Sequence, residues 1–443
     1  MITRIEIDGF KTFEDFSLDL HPFTAIVGPN ASGKSNLFDA IKFVSRLAQT
    51  EIREAMRDLR GRPVELFRLT RPRRRRARMT FAVEVLLAPA GVDAFGTTFE
   101  LRAQRLRYEV EVGARLNDDN LFEDVSIRRE SCAPIAKKDE RLPSIGNGSP
   151  IKYNGRLRPF ISTTEARGEP KAMQIRQDGV NKHGRPVVLS AADAPRTALS
   201  TITTAEFPHL YALREMLASV QFLHVDPQAS RRPADRLASR KLLPDASNLA
   251  TVLAKLRAAT RTELRPDGVL ADIGGDLSYL IPSVARLRVT GSDSAAEYSF
   301  DIELADSLAF SSRVISDGTL RLLALLTVLN DPDHGGVLCF EEPENGVHEA
   351  RISGLVDLLR RSSGYNVADQ GGCFQILVNT HSPSVMATLQ DEEVVVSDLV
   401  STTAKGRDRT MRTRMRGGVS DDSAVGLTRA EVDGILRRPT ETV

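Results

Sequence analysis

Residues 28–36 read GPNASGKSN, and this stretch decides the fold. It matches the pattern G-x-x-x-x-G-K-[ST] through Gly28, Gly33, Lys34 and Ser35. The preceding HPFTAIVG is a short apolar strand, and the following SNLFDAIKFVSRLA has apolar residues at helical spacing. A strand, a glycine-containing loop and a helix in this order predict a loop whose backbone N–H groups surround phosphate oxygens.

Two side chains of this phosphate loop, residues 28–36, have predicted roles. Lys34 places a positive charge on the β- and γ-phosphates, and the Ser35 hydroxyl is a ligand for Mg²⁺. The alternative is a chance match in an ordinary strand-to-helix loop. A carboxylate-ended strand elsewhere in the chain favours the phosphate site, because Mg²⁺ needs a second protein anchor.

Such a strand end is VLCFEEPEN, residues 337–345. Its four apolar residues are typical of a strand covered on both faces, and acids follow at its carboxyl end, where ligands bind in parallel sheets. We expect Glu341 to hold Mg²⁺ through water and Glu342 to polarise the attacking water. The alternative is a solvated acidic turn.

Two further turns carry candidate residues. Ser316, Asp317 and Gly318 precede a long apolar helix, so this helix start is a second anion site, useful for a nucleotide held by another copy of the chain. A plain helix N-cap by Ser316 or Asp317 is the alternative. His381 follows a buried strand and could hydrogen-bond a γ-phosphate and the attacking water; a capping or core histidine is the alternative.

Bulk composition excludes several classes of protein. The 443 residues have a net charge of +1, so the chain is no polycation. Its three cysteines are scattered without metal-ligand spacing, which fits a reducing compartment rather than a disulfide scaffold. The N-terminus lacks an apolar signal core, and no run approaches the ~20 apolar residues that span a bilayer. We therefore expect a cytoplasmic protein without a membrane partner.

The order of patterns predicts an α/β fold. Strands alternate with helices from residue 318 onward, which indicates a mostly parallel sheet covered by helices. Residues 79–87 and 99–112 alternate as antiparallel strands, whereas apolar periodicity fades over 130–200. The predicted parts are an N-terminal lobe with the phosphate loop and an antiparallel β subdomain (1–130), a loop-rich insertion (131–225), a helical and β arm (226–310), a C-terminal lobe (311–400) and a basic tail (401–443).

The motif order resembles the ABC-type ATPases of the SMC, RecF and OLD class. IDGFKTF at 7–13 is similar to the start of an SMC head, and GPNASGKSN to the phosphate loop of that class. SDGTLRLLAL, CFEEPENGVH and NTHSPSVM resemble its signature, Walker B and switch-histidine segments, and LPDASNLATVL at 243–253 is also similar. The resemblance implies a P-loop NTPase head of the ABC-ATPase type, with a mixed sheet, an antiparallel β subdomain and a helical or loop-rich insertion.

The resemblance also implies a chemistry and an assembly. It implies ATP and Mg²⁺ as cofactors, hydrolysis to ADP and phosphate, and head-to-head homodimers or larger oligomers that enclose two ATP molecules. Glu342 and His381 are then catalytic, and Ser35 and Glu341 hold the metal. The residues assigned to the nucleotide are Lys11, Asn30, Ala31, Ser32, Gly33, Lys34, Ser35, Asn36, Ser316, Asp317 and Gly318.

Departures from the class narrow the function. Long heptad runs are absent, which argues against a chromosome-tethering machine. Only about fifty residues follow NTHSPSVM, too few for the Toprim nuclease domain of OLD proteins, so we expect a nuclease effector on a separate chain. Anti-phage defence or DNA repair follows from the family analogy alone. The glutamine that completes the magnesium site has no clear counterpart, and Gln104 is the candidate.

Rival functions use part of the same pattern. The ATP-binding subunit of a membrane transporter shares the chemistry, but SDGT and EEPEN differ from the usual transporter motifs. A small-molecule kinase would use the phosphate loop and leave the later motifs without a role. DNA or RNA could bind two arginine runs, although a solvated loop or an acidic protein partner explains them equally. The runs are Arg73 to Arg76 with Arg78, and Arg407, Arg409, Arg412, Arg414 and Arg416.

Overall fold

The computed structural model describes most of the chain in two compact units. The first unit is Met1–Val220, Gly364–Gln375 and Asp391–Val443, and the second is Gln221–Ser363 and Ile376–Gln390. The described residues are 1–71, 74–117, 122–141, 151–154, 158–166, 169–179, 186–291, 296–306, 308–333, 335–366, 372–403, 409–418 and 427–436.

The strands and helices have the following bounds. The strands are β1 Ile2–Asp8, β2 Phe16–Asp19, β3 Phe23–Val27, β4 Leu69–Arg71, β5 Arg74–Arg75, β6 Arg78–Leu86, β7 Ala90–Val92, β8 Thr98–Glu100, β9 Arg105–Leu116, β10 Phe122–Pro134, β11 Ile161–Ala166, β12 Glu169–Ile175, β13 Val187–Ser190, β14 Gln221–Leu223, β15 Ala234–Asp235, β16 Val284–Thr290, β17 Glu297–Leu304, β18 Ala309–Ser311, β19 Gly336–Glu341, β20 Gly364–Asn366, β21 Gly372–Thr380, β22 Val394–Thr403 and β23 Arg409–Gly417. The helices are α1 Lys34–Leu47, α2 Ile52–Arg57, α3 Pro63–Leu66, α4 Pro208–Ala218, α5 Pro227–Ser230, α6 Leu249–Thr260, α7 Leu270–Leu280, α8 Asp317–Leu329, α9 Ile352–Ser362, α10 Pro383–Met386 and α11 Arg429–Leu436.

An eight-stranded sheet in the order β13-β12-β11-β10-β9-β6-β1-β2 forms much of the first unit. Its β1 alternates apolar and polar residues, and the apolar Ile5 and Ile7 are buried. Ile5 lies opposite Leu18 of β2 and Val83 of β6, so three strands bury one shared face. The predicted antiparallel β subdomain is therefore present, although the strand expected at 99–112 begins at Arg105, and β8 pairs separately with β7.

Residues 131–225, predicted to be loop-rich, differ from that expectation where they are described. The strands β11, β12 and β13 pair in antiparallel order and extend the eight-stranded sheet, and α4 follows them. These strands are short, and their sequences ISTTEA, EPKAMQI and VVLS do not share the regular apolar alternation that reveals a strand in a sequence.

The predicted basic tail of 401–443 also contains regular structure. The strands β22 and β23 form an antiparallel hairpin, and β22 pairs in parallel with β3, the strand that leads into the phosphate loop. Along β23, Thr413 and Met415 are buried whereas Arg414 between them is exposed. The pairing of β22 with β3 places the hairpin beside the phosphate loop, and the alternation along β23 has a period of two within a run of arginines.

The second unit contains the other predicted α/β segment. The strand β14 pairs in parallel with β19, and β19 neighbours β21. Residues 337–340 of β19 are buried, as their apolar run predicted, and nine of the thirteen residues of α8 are buried. A smaller antiparallel sheet, built from β15 to β18, packs against α6 and α7. Across the described ranges, no helix is long and apolar enough to cross a membrane.

Candidate functional site

The phosphate loop has the backbone shape that its sequence predicted. It connects β3 to α1, with Gly33 as the residue that precedes the helix. Ala31 and Gly33 both have left-handed backbones, with φ of 61° and 99°. A left-handed conformation costs a non-glycine residue such as Ala31 about 1 kcal/mol, and strain of this kind concentrates at binding sites. Asn30 and Ala31 lie exposed at the loop tip, and Ser35 is half-buried.

Lys34 lies inside this loop. Its side-chain Nζ donates to the carbonyl oxygens of Gly28 and Pro29 at 2.7 and 2.9 Å, and the residue is only 9% exposed. The ammonium group is therefore held by the loop that would surround a phosphate. This placement fits the predicted role of Lys34 as a charge for anionic oxygens.

Ser32 provides a test of whether the loop suits a phosphate. Its hydroxyl oxygen is buried, and it has no hydrogen-bond partner among the described residues. A buried hydroxyl without a partner is costly, and a bound phosphate oxygen would accept its proton. Together with Lys34 and the start of α1, this unpaired donor makes the loop fit a nucleotide phosphate.

The two glycines of the motif have a reason that the sequence did not reveal. A side chain at Gly33 would meet Thr413 of β23, with Cγ2 and Cβ of that threonine 2.8 and 2.9 Å away. A side chain at Gly28 would meet the carbonyl oxygen of Ser397 in β22 and lie 3.2 Å from its Cβ. The hairpin therefore packs so closely against the loop that only glycine fits at both positions.

Lys11 and Asn36, both assigned to the nucleotide, make contacts with residues around the loop, and their assignment stays a prediction. Lys11 forms an ion pair with the buried Asp39 of α1, with 2.5 Å between Nζ and Oδ2. Arg60, which the sequence analysis did not select, shares Asp39 and donates to the carbonyl oxygen of Ser35 at 2.7 Å. The Asn36 side chain donates to the hydroxyl of a threonine, Thr12, at 2.9 Å.

In the second unit, three consecutive residues at the end of β21 contact the three predicted carboxylates after β19. Asn379 donates to Oε1 of Glu341 at 3.0 Å, and Thr380 donates to Oε1 of Glu344 at 2.5 Å. The Nδ1 atom of His381 lies 3.0 Å from Oε1 of the third carboxylate, Glu342. The acidic turn is thus held by a matching polar strand end and is not simply solvated.

The structure brings the two predicted catalytic residues together. Glu342 adopts a left-handed backbone with φ of 51°, which aims its side chain at His381. Its second carboxylate oxygen accepts from Asn345 at 2.7 Å, and its N–H donates to the carbonyl of Asn379 at 2.9 Å. Both side chains of the pair remain partly open to solvent, at 37% for Glu342 and 48% for His381. A carboxylate and an imidazole are therefore in contact and accessible to water.

Glu344 differs from its two neighbours in environment. Burial raises the pKa of its carboxyl, with a smaller contribution from the charge of Glu342. Its Oε2 atom is buried without a partner among the described residues. Within the turn, Glu344 is thus a packed group that accepts a hydrogen bond from Thr380.

The turn before α8 is an N-cap, as the simpler interpretation predicted. The Ser316 hydroxyl accepts from the N–H of Thr319 at 3.2 Å, and Asp317 pairs with Arg231. Ser316 and Asp317 are nevertheless exposed, so the start of this helix is accessible at the surface of the second unit. A role towards a second copy of the chain stays a prediction.

The first turn of α8 contacts the acidic turn through two features that the sequence analysis did not select. Gly318 and Gly346 pack backbone to backbone, because a side chain at Gly318 would lie 2.5 Å from the Cα of Gly346. Arg321 donates to the carbonyl of Glu341 at 3.1 Å and lies over the ring of Phe340, 5.8 Å from its centroid. The helix start and the carboxylates are thus mechanically linked within one unit.

The candidate magnesium ligands have a mixed outcome. No three His, Cys, Asp or Glu side chains within the described ranges are grouped so as to hold a metal ion. A single carboxylate such as Glu341 still suits Mg²⁺, which takes most of its ligands from phosphates and water. Gln104 was the wrong candidate, because its amide bonds to the backbone of Leu87 and Lys152 in a buried position of the first unit.

Four arginines of the two runs form ion pairs with carboxylates. Arg76 contacts Asp8 and Glu14, and Arg78 contacts Glu111. On the hairpin, Arg414 and Arg416 share Asp398, while Arg73 and Arg407 lie outside the described residues. These ion pairs lower the charge that four of the ten arginines could offer to a phosphate backbone, and the DNA or RNA prediction stays a prediction.

Two family models match the chain. The model of the RecF/RecN/SMC N terminal domain matches residues 1–64, which include the phosphate loop. The model described as an AAA domain, putative AbiEii toxin, Type IV TA system matches residues 177–387, which include the turn before α8, the acidic turn and His381. These matches give no support to the transporter alternative.

Relatives and solved structures agree with these models. The Chromosome partition protein Smc of Methanocaldococcus jannaschii is 59% identical over 44 residues, and the OLD nuclease of Thermus scotoductus is 46% identical over 44 residues. Each match covers 10% of this chain but only 4% and 8% of those proteins. The fold is similar to a crystal structure of the SmcHead bound to the C-winged helix domain of ScpA, with a TM-score of 0.51 and 14% identity over 94% of this chain and 98% of that chain.

Proposed function

Because the chain belongs to the SMC, RecF and OLD-like class of ABC-type ATPases, we propose that it binds ATP with Mg²⁺ and hydrolyses it to ADP and phosphate. The observation that carries the proposal is the contact between His381 and Glu342 at 3.0 Å. A structural acidic turn would not need a strained glutamate aimed at an accessible histidine.

The phosphate loop is the proposed binding element. Lys34, the unpaired hydroxyl of Ser32 and the N–H groups at the start of α1 would hold the phosphates, and the Ser35 hydroxyl would be a ligand for Mg²⁺. Within the second unit, Glu341 is the proposed Mg²⁺ ligand. The bound metal would withdraw charge from the phosphate oxygens. Lys11 and Asn36 support the loop from outside, through Asp39 and Thr12.

Glu342 and His381 are the proposed catalytic residues. Glu342 accepts a proton from the attacking water. The Asn345 amide donates to its carboxylate, and its backbone N–H donates to the carbonyl of Asn379, so both its side chain and its backbone are held in place. His381 holds the other carboxylate oxygen and places a second polar group next to the same water. Positioning of this kind supplies most of the catalysis in phosphoryl transfer.

Dimerisation is the proposed step that links ATP binding to the control of another protein. Ser316 and Gly318 of one copy would complete the site around the nucleotide of another, since the start of α8 is exposed and has a positive N-terminal end. We propose that ATP-dependent assembly then controls a separate effector chain. The proposal of a nuclease effector rests on the name of the matched OLD nuclease. The proposed role in anti-phage defence or DNA repair rests on family analogy alone.

The proposal predicts the behaviour of Glu342→Gln. The amide cannot accept the proton of water, so phosphate release should fall by a factor of about 10² or more, while ATP still binds. Sedimentation of the variant with ATP and Mg²⁺ should show a dimer, because the assembled state is no longer resolved by hydrolysis. Glu392→Gln, at an exposed glutamate of the first unit, is the matched control for loss of charge.

Two results would contradict the proposal. Calorimetry that detects no uptake of ATP by the wild-type protein would exclude the binding function. A Glu342→Gln variant that releases phosphate at the rate of the Glu392→Gln control would exclude the catalytic assignment, and a persistent monomer with ATP would exclude the assembly.

A further inference from the structure

We propose that Thr413 and Ser397, on the hairpin formed by β22 and β23, are positioning residues that aim the phosphate-binding N–H groups of the phosphate loop. The inference rests on the proposed function, because it concerns how the same loop is held for a nucleotide. Neither residue belongs to the motif. Ser397 lies 365 positions and Thr413 lies 381 positions along the chain from the carbonyl of Ser32 that both contact.

The hydroxyls of Ser397 and Thr413 both donate hydrogen bonds to one carbonyl group of the loop. The carbonyl oxygen of Ser32 accepts from the Ser397 hydroxyl at 3.0 Å and from the Thr413 hydroxyl at 3.3 Å. All of these groups are buried, with Ser397 fully enclosed and Thr413 only 2% exposed. Two donors from different strands fix a carbonyl in direction more firmly than one donor does, because the peptide can no longer rotate about a single bond axis.

The direction of this carbonyl determines the direction of the next N–H group. In a trans peptide the C=O of Ser32 and the N–H of Gly33 lie in one plane and point in opposite directions, and none of the described residues has a cis peptide bond. With its oxygen turned to the hairpin, the peptide presents the Gly33 N–H on the side away from the hairpin. An N–H at this step of the pattern is one of the donors that surround a phosphate.

The hydrogen bonds around Thr413 have only one consistent direction. The Ser32 carbonyl can only accept, so the Thr413 proton is directed to it. The Thr413 oxygen lies 2.6 Å from the Thr12 hydroxyl, which must therefore be the donor of that pair. Thr12 in turn accepts from the amide of Asn36 at 2.9 Å, so a one-way series of donors runs from the first turn of α1 back to the loop.

Packing against Thr413 also holds the peptide between Ser32 and Gly33. The Thr413 side chain occupies the space that a side chain at Gly33 would need. The Thr12 carbonyl also accepts from the backbone N–H of Thr413 at 3.0 Å, and Arg68, which is 2% exposed, donates to the carbonyls of Thr12 and Met411. The threonine is thus fixed by its own backbone, so its hydroxyl has little freedom to follow a moving loop.

Calorimetric titration of the full-length chain with ADP tests the inference. In Thr413→Val the shape is retained and the hydroxyl is lost, and we expect the dissociation constant for ADP to rise about three- to tenfold, the effect of one hydrogen bond. Thr413→Ser keeps the hydroxyl and should bind ADP within about twofold of wild type. The KM for ATP should rise in parallel in Thr413→Val, with kcat changed less than twofold, because the loop still binds at saturating ATP.

Controls separate this role from a general loss of stability. Ser397→Ala removes the second donor and should also weaken ADP, whereas Ser401→Ala, at an exposed serine of the same strand, should not. A purely structural hydroxyl would lower the melting temperature of Thr413→Val and leave the ADP affinity of the folded protein unchanged, and that result would overturn the inference. If Thr413→Val does not fold, wild-type ADP affinity in Ser397→Ala overturns it in the same way. Absence of ADP binding by the wild-type chain would instead refute the proposed function.

Discussion

Replacing Gly318 by alanine tests whether the helix start and the acidic turn are mechanically linked. Gly318 lies in the first turn of α8, and an added Cβ would lie 2.5 Å from the Cα of Gly346 and 3.3 Å from its carbonyl oxygen. Carbon atoms pack at about 3.5 to 4.0 Å, so the two backbones must separate by about 1 Å. Neither partner is a flexible side chain, and the strain cannot be relieved by a rotamer change.

The magnitude follows from two opposing terms. Alanine is a better helix former than glycine by about 1 kcal/mol, which would stabilise α8. Overpacking costs about 1 to 3 kcal/mol, and a clash between two backbones belongs at the upper end of that range. We therefore expect Gly318→Ala to destabilise the second unit by about 2 kcal/mol. A shift of about 1 Å in the turn that carries Glu342 should also lower the rate of ATP hydrolysis by about 10².

Gly275→Ala is the matched control, because Gly275 is also helical but has open space around its hydrogen. At Gly275 the gain in helix propensity is not opposed by overpacking, so Gly275→Ala should stabilise α7 by up to about 1 kcal/mol. Hydrogen exchange of peptides from α7 and α8, without nucleotide, would measure both effects. Phosphate release at saturating ATP would measure the rate. If the two alanine variants change stability with the same sign, or if Gly318→Ala hydrolyses ATP at the wild-type rate, the proposed link is refuted.

Two other predictions concern the first unit. Lys34→Ala removes a charged donor and should raise the dissociation constant for ADP, measured by calorimetry, about ten- to a hundredfold. Lys42→Ala, on the same helix, is the control and should leave the ADP affinity unchanged. Equal ADP affinities of the two variants would exclude Lys34 from the site. Burial raises the pKa of Glu130 to about 7, so the folded state binds this proton more tightly than the unfolded state. The free energy of unfolding should therefore fall by about 3 kcal/mol as the pH rises from about 4.5 to about 7, and urea titrations should show a smaller fall in Glu130→Gln. Equal pH profiles would contradict the assignment to Glu130.

The sequence predicted the parts of the site that are local in the chain. A strand before the phosphate loop and a helix after it were evident from apolar spacing, as was the buried strand that ends at Glu341. Glu342 and His381 were each selected from the end of a buried strand, but their contact with each other was not predicted and comes from the structure.

What the sequence could not show are the contacts between distant segments. The pairing of β22 with β3 leaves no pattern in either strand, so the support of the loop by Ser397 and Thr413 was not predicted. The close approach of Gly318 and Gly346 was hidden for the same reason, since each glycine on its own suits a turn or a helix start. Along β23 the alternation of Thr413, Arg414 and Met415 was a usable signal, but the density of arginine suggested a charged tail instead.

The union of β3 with β22 also has a consequence for synthesis on the ribosome. The strand that leads into the phosphate loop is made within the first thirty residues, whereas its parallel partner starts at Val394. Throughout translation of the intervening chain, one edge of that early strand is without the neighbour it will have in the finished protein. A nascent polypeptide should thus gain full affinity for nucleotide only after the segment from Val394 onward has been made, and until then the exposed edge of β3 is a natural substrate for chaperones.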